Sequence, residues 1–209
     1  MIAIIDYDAG NLTSVQRAVS FLGKACVVTR DPGTLLEADR IIFPGVGAAG
    51  SAMESLVRYG IDRILRDAYG MGKPILGICL GSQIILDASE ENDTACLGII
   101  PGTVKAFPSD MSGPDGRKLK VPHMGWNRLL CLGGHPILEG LDPMDEFYFV
   151  HGYYPQPQQE EDHVFCRTDY GIDFPSVIGC RNLVATQFHP EKSGRPGLRI
   201  LSNFFHWKP

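Results

Sequence analysis

The chain has 209 residues, 44% of them apolar and 21% charged, with a formal net charge of −5. That is the profile of a soluble globular protein long enough to bury a core, and the length fits one domain spanning 1–209. An acidic pI of about 5.6, with Lys and Arg scattered, argues against a nucleic-acid or membrane-surface binder, which would carry a basic patch.

No stretch approaches a transmembrane span, and the start lacks the basic region of a signal peptide. A cytoplasmic location is therefore expected. The six cysteines are then expected to form no disulfide, and five of them read as small buried hydrophobes. Their spacing contains no Cys-x-x-Cys and no paired-His pattern, so no metal site is expected.

In chain order, Ile2 to Ile5 reads as a buried strand, and Asp6 to Asn11 as a turn. Thr13 through Leu22 has helical periodicity at Val15, Ala18, Val19 and Leu22, with Gly23 as its C-terminal cap. Ala25 to Thr29 is a second strand and Asp31-Pro32-Gly33 a turn. Arg40 to Phe43 is a third strand, followed by a Gly-rich loop and a helix over about Ser51 to Tyr69. Ile75 to Ile78 is a fourth strand, and apolar positions through Leu86 continue as a helix.

This alternation predicts an α/β fold with a doubly wound, mostly parallel sheet flanked by helices. The second half reads differently. Gly98–Val104, Leu119–His123, Glu146–Val150, Val164–Cys166 and Leu183–Phe188 are predicted strands, and Met111 to Gly116 a hairpin-like turn. They are expected to add partly antiparallel strands to the sheet, before a closing helix over Pro196 to Trp207.

The chemistry concentrates at Gly77-Ile78-Cys79-Leu80-Gly81. A strand must turn sharply into a helix here, in the manner of a nucleophile elbow with sulfur in place of oxygen. The flanking glycines remove Cβ clashes, and the helix N-terminus favours a thiolate at Cys79. A plain core cysteine would need no such glycines.

A thiolate nucleophile needs a base and a group to orient it. His189 follows a strand directly, and Glu191 lies two residues on, on the same face of extended chain. Cys79, His189 and Glu191 are thus the predicted triad. The backbone N–H of Leu80 and one from Val46 or Gly47 are the predicted oxyanion donors. Gly45 to Gly50 also matches a Gly-x-Gly-x-x-Gly dinucleotide fingerprint. However, it follows the third strand rather than the first, and the next strand ends in Cys79 rather than an acid.

Gly77 to Gln83, taken with Gln187-Phe188-His189-Pro190-Glu191, resembles the class I triad glutamine amidotransferases. Gly10-Asn11-Leu12, Pro44 to Gly47, Lys120 to Asn127, Phe147 to His151 and Phe188 to Ser193 are similar, more narrowly, to the glutaminase subunits of imidazole glycerol phosphate synthases. Pro122-His123-Met124-Gly125-Trp126-Asn127 is the most specific of these stretches.

The resemblance implies a flavodoxin-like fold and release of ammonia from L-glutamine through a γ-glutamyl thioester on Cys79, with no cofactor. It implies a heterodimer with a (β/α)₈ cyclase subunit that uses the ammonia to make imidazole glycerol phosphate and an aminoimidazole carboxamide ribotide. By resemblance, Gln83, Glu91, His151, Gly152 and Tyr153 bind substrate, and Asn11, Arg17, Trp126, Asn127 and Lys192 face the partner. Ser82 and Gly152 depart from the family's usual Met and Ser, and Ala48-Ala49 lacks its usual aromatic residue or His. A stand-alone γ-glutamyl hydrolase, and a non-catalytic sensor with an oxidisable Cys79, are the competing readings.

Overall fold

A computed structural model describes residues 1–8, 11–113 and 116–209. Among the described residues, fourteen strands and seven α-helices follow in chain order: β1 (Ile2–Ile5), α1 (Leu12–Phe21), β2 (Cys26–Thr29), α2 (Pro32–Glu37), β3 (Arg40–Gly45), α3 (Ala49–Arg58), α4 (Ile61–Gly70), β4 (Ile75–Cys79), α5 (Leu80–Gln83), β5 (Ala88–Ser89), β6 (Thr94–Ala95), β7 (Gly102–Ala106), β8 (His123–Arg128), β9 (Leu130–Cys131), β10 (Glu146–His151), β11 (Tyr153–Pro157), α6 (Glu160–His163), β12 (Val164–Asp169), β13 (Asp173–Cys180), β14 (Leu183–Thr186) and α7 (Gly194–His206).

The central eight-stranded sheet has the order β2-β1-β3-β4-β14-β13-β12-β9. From β2 to β14 the neighbours are parallel, and from β14 to β9 they are antiparallel. Residues alternate between the faces of each strand. Ala3, Ile5, Ile41, Phe43, Ile75 and Ala185 pack with α3 and α4. Ile2, Ile4, Ile42, Leu76, Ile78 and Val184 pack with α1 and α7. The sheet is thus wound on both faces, as predicted. The carboxyl ends of β3, β4 and β14 lie side by side, since Gly45 pairs with Cys79 and Ile78 with Thr186. That end of a doubly wound sheet is where ligands bind.

Several local expectations are corrected. Asp31-Pro32-Gly33 is the start of α2 rather than a simple turn: Asp31 accepts from the Thr34 N–H at 2.8 Å, with Pro32 at the first helical position. The long helix predicted to Tyr69 is two helices, separated at Gly60, whose φ is +69°. The helix after the elbow ends at Gln83, and Ile84, Ile85 and Leu86 are fully buried beyond it.

The strand predicted at Leu119–His123 begins at His123 instead, and the one predicted from Gly98 begins at Gly102. Strands β5, β6, β9, β11 and β13 are additional to those predicted. Of the second-half strands, β8 pairs with β10, and β11, β7, β5 and β6 form another small sheet, so these lie outside the main sheet. Ala9 and Gly10 of the first turn, and Pro114 and Asp115 of the hairpin-like turn, lie outside the described residues. The flanks of the latter are tied by an antiparallel bridge between Ser112 and Lys118.

The expectation of no disulfide is also corrected. Cys131 and Cys166 are register partners on β9 and β12 and are disulfide-bonded, with a Cα–Cα separation of 4.0 Å. Of the five cysteines read as buried hydrophobes, only Cys166 is fully so, and Cys26, Cys96 and Cys180 are half-buried. Among the described residues no group of three His, Cys, Asp or Glu is placed to hold a metal, and no helix is long and apolar enough to cross a membrane.

Candidate active site

Strand β4 is buried along its whole length and ends at Cys79, whose φ of 53° and ψ of −107° are strained for a residue with a Cβ. The glycines on either side permit this turn. A Cβ on Gly77 would lie 2.9 Å from the Ala185 Cβ and the Gly81 carbonyl, and one on Gly81 would overlap the Phe43 carbonyl. The Ser82 hydroxyl donates to the Cys79 carbonyl at 2.7 Å, which ties the elbow from behind. With only four residues, α5 brings little macrodipole to the sulfur, so the side chains around Cys79 matter more than the sequence suggested.

Strand β14 delivers His189 to the same place. The imidazole is buried, and its Nδ1 donates to Glu191 Oε1 at 2.8 Å. That bond assigns the other nitrogen, Nε2, to the proton exchange with Cys79. Nε2 is itself buried, close enough to the Cys79 sulfur to feel its charge but, among the described residues, with no partner at hydrogen-bond distance. Burial disfavours the charged ring, but the Cys79 sulfur and the Glu191 carboxylate outweigh it and push the pKa up to about 10. The arrangement favours an imidazolium beside the Cys79 sulfur.

A cavity of about 330 Å³ opens over the sulfur. Val46, Gly47, Cys79, Leu80, Gln83, Glu91, His151, Gly152, Tyr153 and His189 line it, together with Pro122 and Val150. The residues expected to bind substrate or an oxyanion therefore converge on one chamber. Gly47 has a φ of +100°, a conformation that glycine adopts without strain. Glu91 Oε2 accepts from the Ala49 N–H at 2.7 Å, which leaves Oε1 for a ligand.

Gln83 Nε2 donates to the Tyr153 carbonyl at 2.8 Å and to Gln187 Oε1 at 3.0 Å, so its own Oε1 is the atom left to face the chamber. His151 Nδ1 also donates to the Tyr153 carbonyl, at 2.8 Å, and the His151 and His123 rings bond each other at 3.1 Å. Burial pushes His151 down to about 3 and His123 to about 4, so both are neutral. A larger, open groove of about 830 Å³ beside α3 is lined by Met53, Glu54, Val57 and Arg58 among others. It contains no nucleophile and base pair.

Two buried groups near the sulfur were given no role by the sequence. Gln187 Nε2 donates to Cys79 Sγ at 3.7 Å. The Tyr7 hydroxyl is buried next to Gly45, with no hydrogen-bond partner among the described residues. Burial and the Cys79 sulfur raise the Tyr7 pKa far above the usual phenol range, so it stays protonated. Gln187 stands in the same short stretch as His189 and Glu191 but had no role read from it, and Tyr7 lies in no motif; both are brought to the sulfur from distant parts of the chain.

The residues expected to face a partner divide in two. Trp126 is exposed, and its ring lies 5.9 Å from Tyr148, over which Lys192 Nζ sits at 5.9 Å. Asn11 caps α1 by accepting from the Ser14 N–H, and Arg17 is exposed on that helix. Asn127 is different: strand alternation turns it inward from Trp126, and its Nδ2 donates to the Asp169 carbonyl at 2.8 Å.

The family model for glutamine amidotransferase class-I matches residues 3–207. The chain belongs to the class-I glutamine amidotransferase family. Among relatives of this amidotransferase, the imidazole glycerol phosphate synthase subunit HisH of Nitratidesulfovibrio vulgaris (strain DP4) is 52% identical over 99% of this chain and 96% of that protein. HisH of Thiobacillus denitrificans is 43% identical over 100% and 92%. Within the class, this amidotransferase thus falls in the HisH subunit family.

Solved structures share the fold of this amidotransferase. PurLQS from Thermotoga maritima has a TM-score of 0.73 at 17% identity, over 98% of this chain and 97% of that one. A crystal structure of another glutamine amidotransferase has a TM-score of 0.70 at 21% identity, over 98% and 100%.

Proposed function

We propose that this amidotransferase is the glutaminase subunit of an imidazole glycerol phosphate synthase in histidine biosynthesis. It hydrolyses L-glutamine through Cys79 and passes the ammonia to a (β/α)₈ cyclase subunit. The observation that carries the reading is the convergence of Cys79, the His189–Glu191 pair and the candidate ligand groups on one cavity, in a chain whose relatives bear that subunit's name.

Cys79 Sγ attacks the side-chain carbonyl carbon of glutamine. The negative charge that develops on oxygen is held by the Leu80 N–H and one from Val46 or Gly47. His189 Nε2 gives its proton to the departing nitrogen, which leaves as ammonia and a γ-glutamyl thioester. His189 then takes a proton from water, the hydroxide attacks the thioester carbon, and glutamate leaves with the thiolate restored. Glu91 Oε1 and Gln83 Oε1, both acceptors, suit the substrate's α-ammonium. The segment from His151 to Tyr153 forms the wall along which the rest of the substrate lies.

The exposed apolar side chains Val46, Val121, Met124 and Trp126 suit a protein partner near the chamber. Trp126 reaches the site through Tyr148, whose ring centroid is 6.5 Å from that of His189. The cyclase would turn the ammonia and a phosphoribulosyl formimino-carboxamide nucleotide into imidazole glycerol phosphate and the aminoimidazole carboxamide ribotide. These are steps in a biosynthetic enzyme of the cytoplasm.

The chemistry is tested by acid-quenching the protein with glutamine and mapping peptides by mass. A γ-glutamyl adduct is expected on the Cys79 peptide and is expected to be absent in Cys79→Ala. Glutamate release without any such adduct would contradict the thioester route.

A further inference from the structure

Gln187 is the first residue beyond β14 and is fully buried. Its backbone N–H donates to the Ser176 carbonyl at 2.9 Å, which fixes its place in the sheet. Its side chain lies between the nucleophile and Gln83. Nε2 donates to Cys79 Sγ at 3.7 Å and Oε1 accepts from Gln83 Nε2 at 3.0 Å.

The direction of these bonds follows from chemistry. The Tyr153 carbonyl only accepts, so it turns the nitrogen end of Gln83 toward itself, at 2.8 Å. The same nitrogen's second hydrogen then requires an acceptor, and Gln187 Oε1 supplies it. The opposite end of the Gln187 amide, its NH₂, is thereby left facing the sulfur. The Tyr153 carbonyl, on the cavity wall, sets the orientation of both amides and of the donor aimed at Cys79.

An N–H aimed at sulfur in a buried site favours thiolate over thiol, because the anion is the stronger acceptor. An amide does not titrate, so this donor acts at every pH, unlike His189. It stays in place through attack and through departure of the sulfur from the thioester.

We propose that Gln187 is a further catalytic residue: its side-chain N–H holds the Cys79 thiolate and, through Gln83, ties the sulfur's position to the Tyr153 wall of the cavity. The link to substrate rests on the glutaminase reading. The donor bond to sulfur does not.

The test is the rate of Cys79 alkylation by iodoacetamide across pH, read by peptide mass with no glutamine present, in wild type, Gln187→Leu and Gln187→Glu. Leu removes the donor. Glu keeps an acceptor for Gln83 but presents oxygen to the sulfur. In both variants the rate at pH 6 is expected to fall about tenfold, the effect of one charge-assisted hydrogen bond, and to match wild type at pH 10. Wild-type rates at pH 6 in natively folded variants would overturn the proposal.

A second measurement uses the wild-type chain, in case the variants fold poorly. The Gln187 side-chain amide protons are followed by nuclear magnetic resonance through a pH titration. One of them is expected to move as Cys79 ionises, and to stay still in Cys79→Ala. An unmoved pair in wild type would overturn the proposal. A chain that never releases glutamate still tests the donor bond, so failure of the glutaminase reading and failure of this one are separable.

Discussion

The sulfur of Cys79 lies beside a titrating group and a permanent donor. His189 provides the titrating one, and its proton persists to about pH 10. Glutamate release is therefore expected to hold through neutral pH and to fall as pH rises through about 10, where the acid that protonates ammonia is lost. Glu191→Gln removes one of the groups that raise His189. Its falling limb is expected at lower pH, with a loss at pH 8 of about 10²–10⁴-fold, checked by a pH–rate profile. The sign for stability follows too. A value raised from 6.5 contributes stability that is full below the unfolded value and lost as pH rises through about 10. At this scale Cys79, His189 and Glu191 were legible, because each lies in a short motif with a chemical reason. Gln187 shares the stretch of His189 and Glu191 without a role being legible there, and Tyr7 lies in no motif: what singles both out is proximity to the sulfur, which no local spacing encodes.

At the scale of elements, the elbow is a close approach of backbone to backbone. Gly81→Ala would drive a Cβ into the Phe43 carbonyl of β3 and is expected to destabilise by about 1–3 kcal/mol, read as a lower denaturant midpoint with unchanged slope. Gly152 offers the contrast. A Cβ there meets only Val121 Cγ1, at 3.8 Å, so Gly152→Ser is expected to leave the midpoint unchanged while placing a hydroxyl on the cavity wall. The strands β1 to β4 and the helix α1 of the first half were readable because buried runs alternate there with helical periods, whereas α2, six residues long, was too short to show one. The periodicity ran on through Gly60, so it could not show the left-handed residue that divides α3 from α4. It also failed at Ile84 to Leu86, since residues buried on every side carry no face to count.

For the whole molecule, the doubly wound order brings three strand ends to one edge, and the small sheet of β8 and β10 is set against them. That sheet gives His151 to the cavity and Met124 and Trp126 to the surface from the same paired strands. Docking on this face would thus act within one hairpin's width of the substrate wall. Trp126→Ala is expected to weaken cyclase binding about 30-fold, as truncation of an aromatic anchor does, measured by titration calorimetry. The sequence could not show which second-half strands leave the main sheet, because their pairings are non-local: Met124 with Val150, Thr103 with Gln156. Nor did composition show the Cys131–Cys166 link, which depends on register between β9 and β12.

The most direct test of the central claim is glutamate release from L-glutamine by the purified chain, measured alone, with the cyclase partner, and with that partner plus its nucleotide ligand, with Cys79→Ala as control. Cys79-dependent release that is low alone and rises strongly with partner and ligand is the expected result. Equal release in all three conditions would contradict the docked-subunit account and leave a stand-alone hydrolase, and no Cys79-dependent release in any condition would contradict the glutaminase itself.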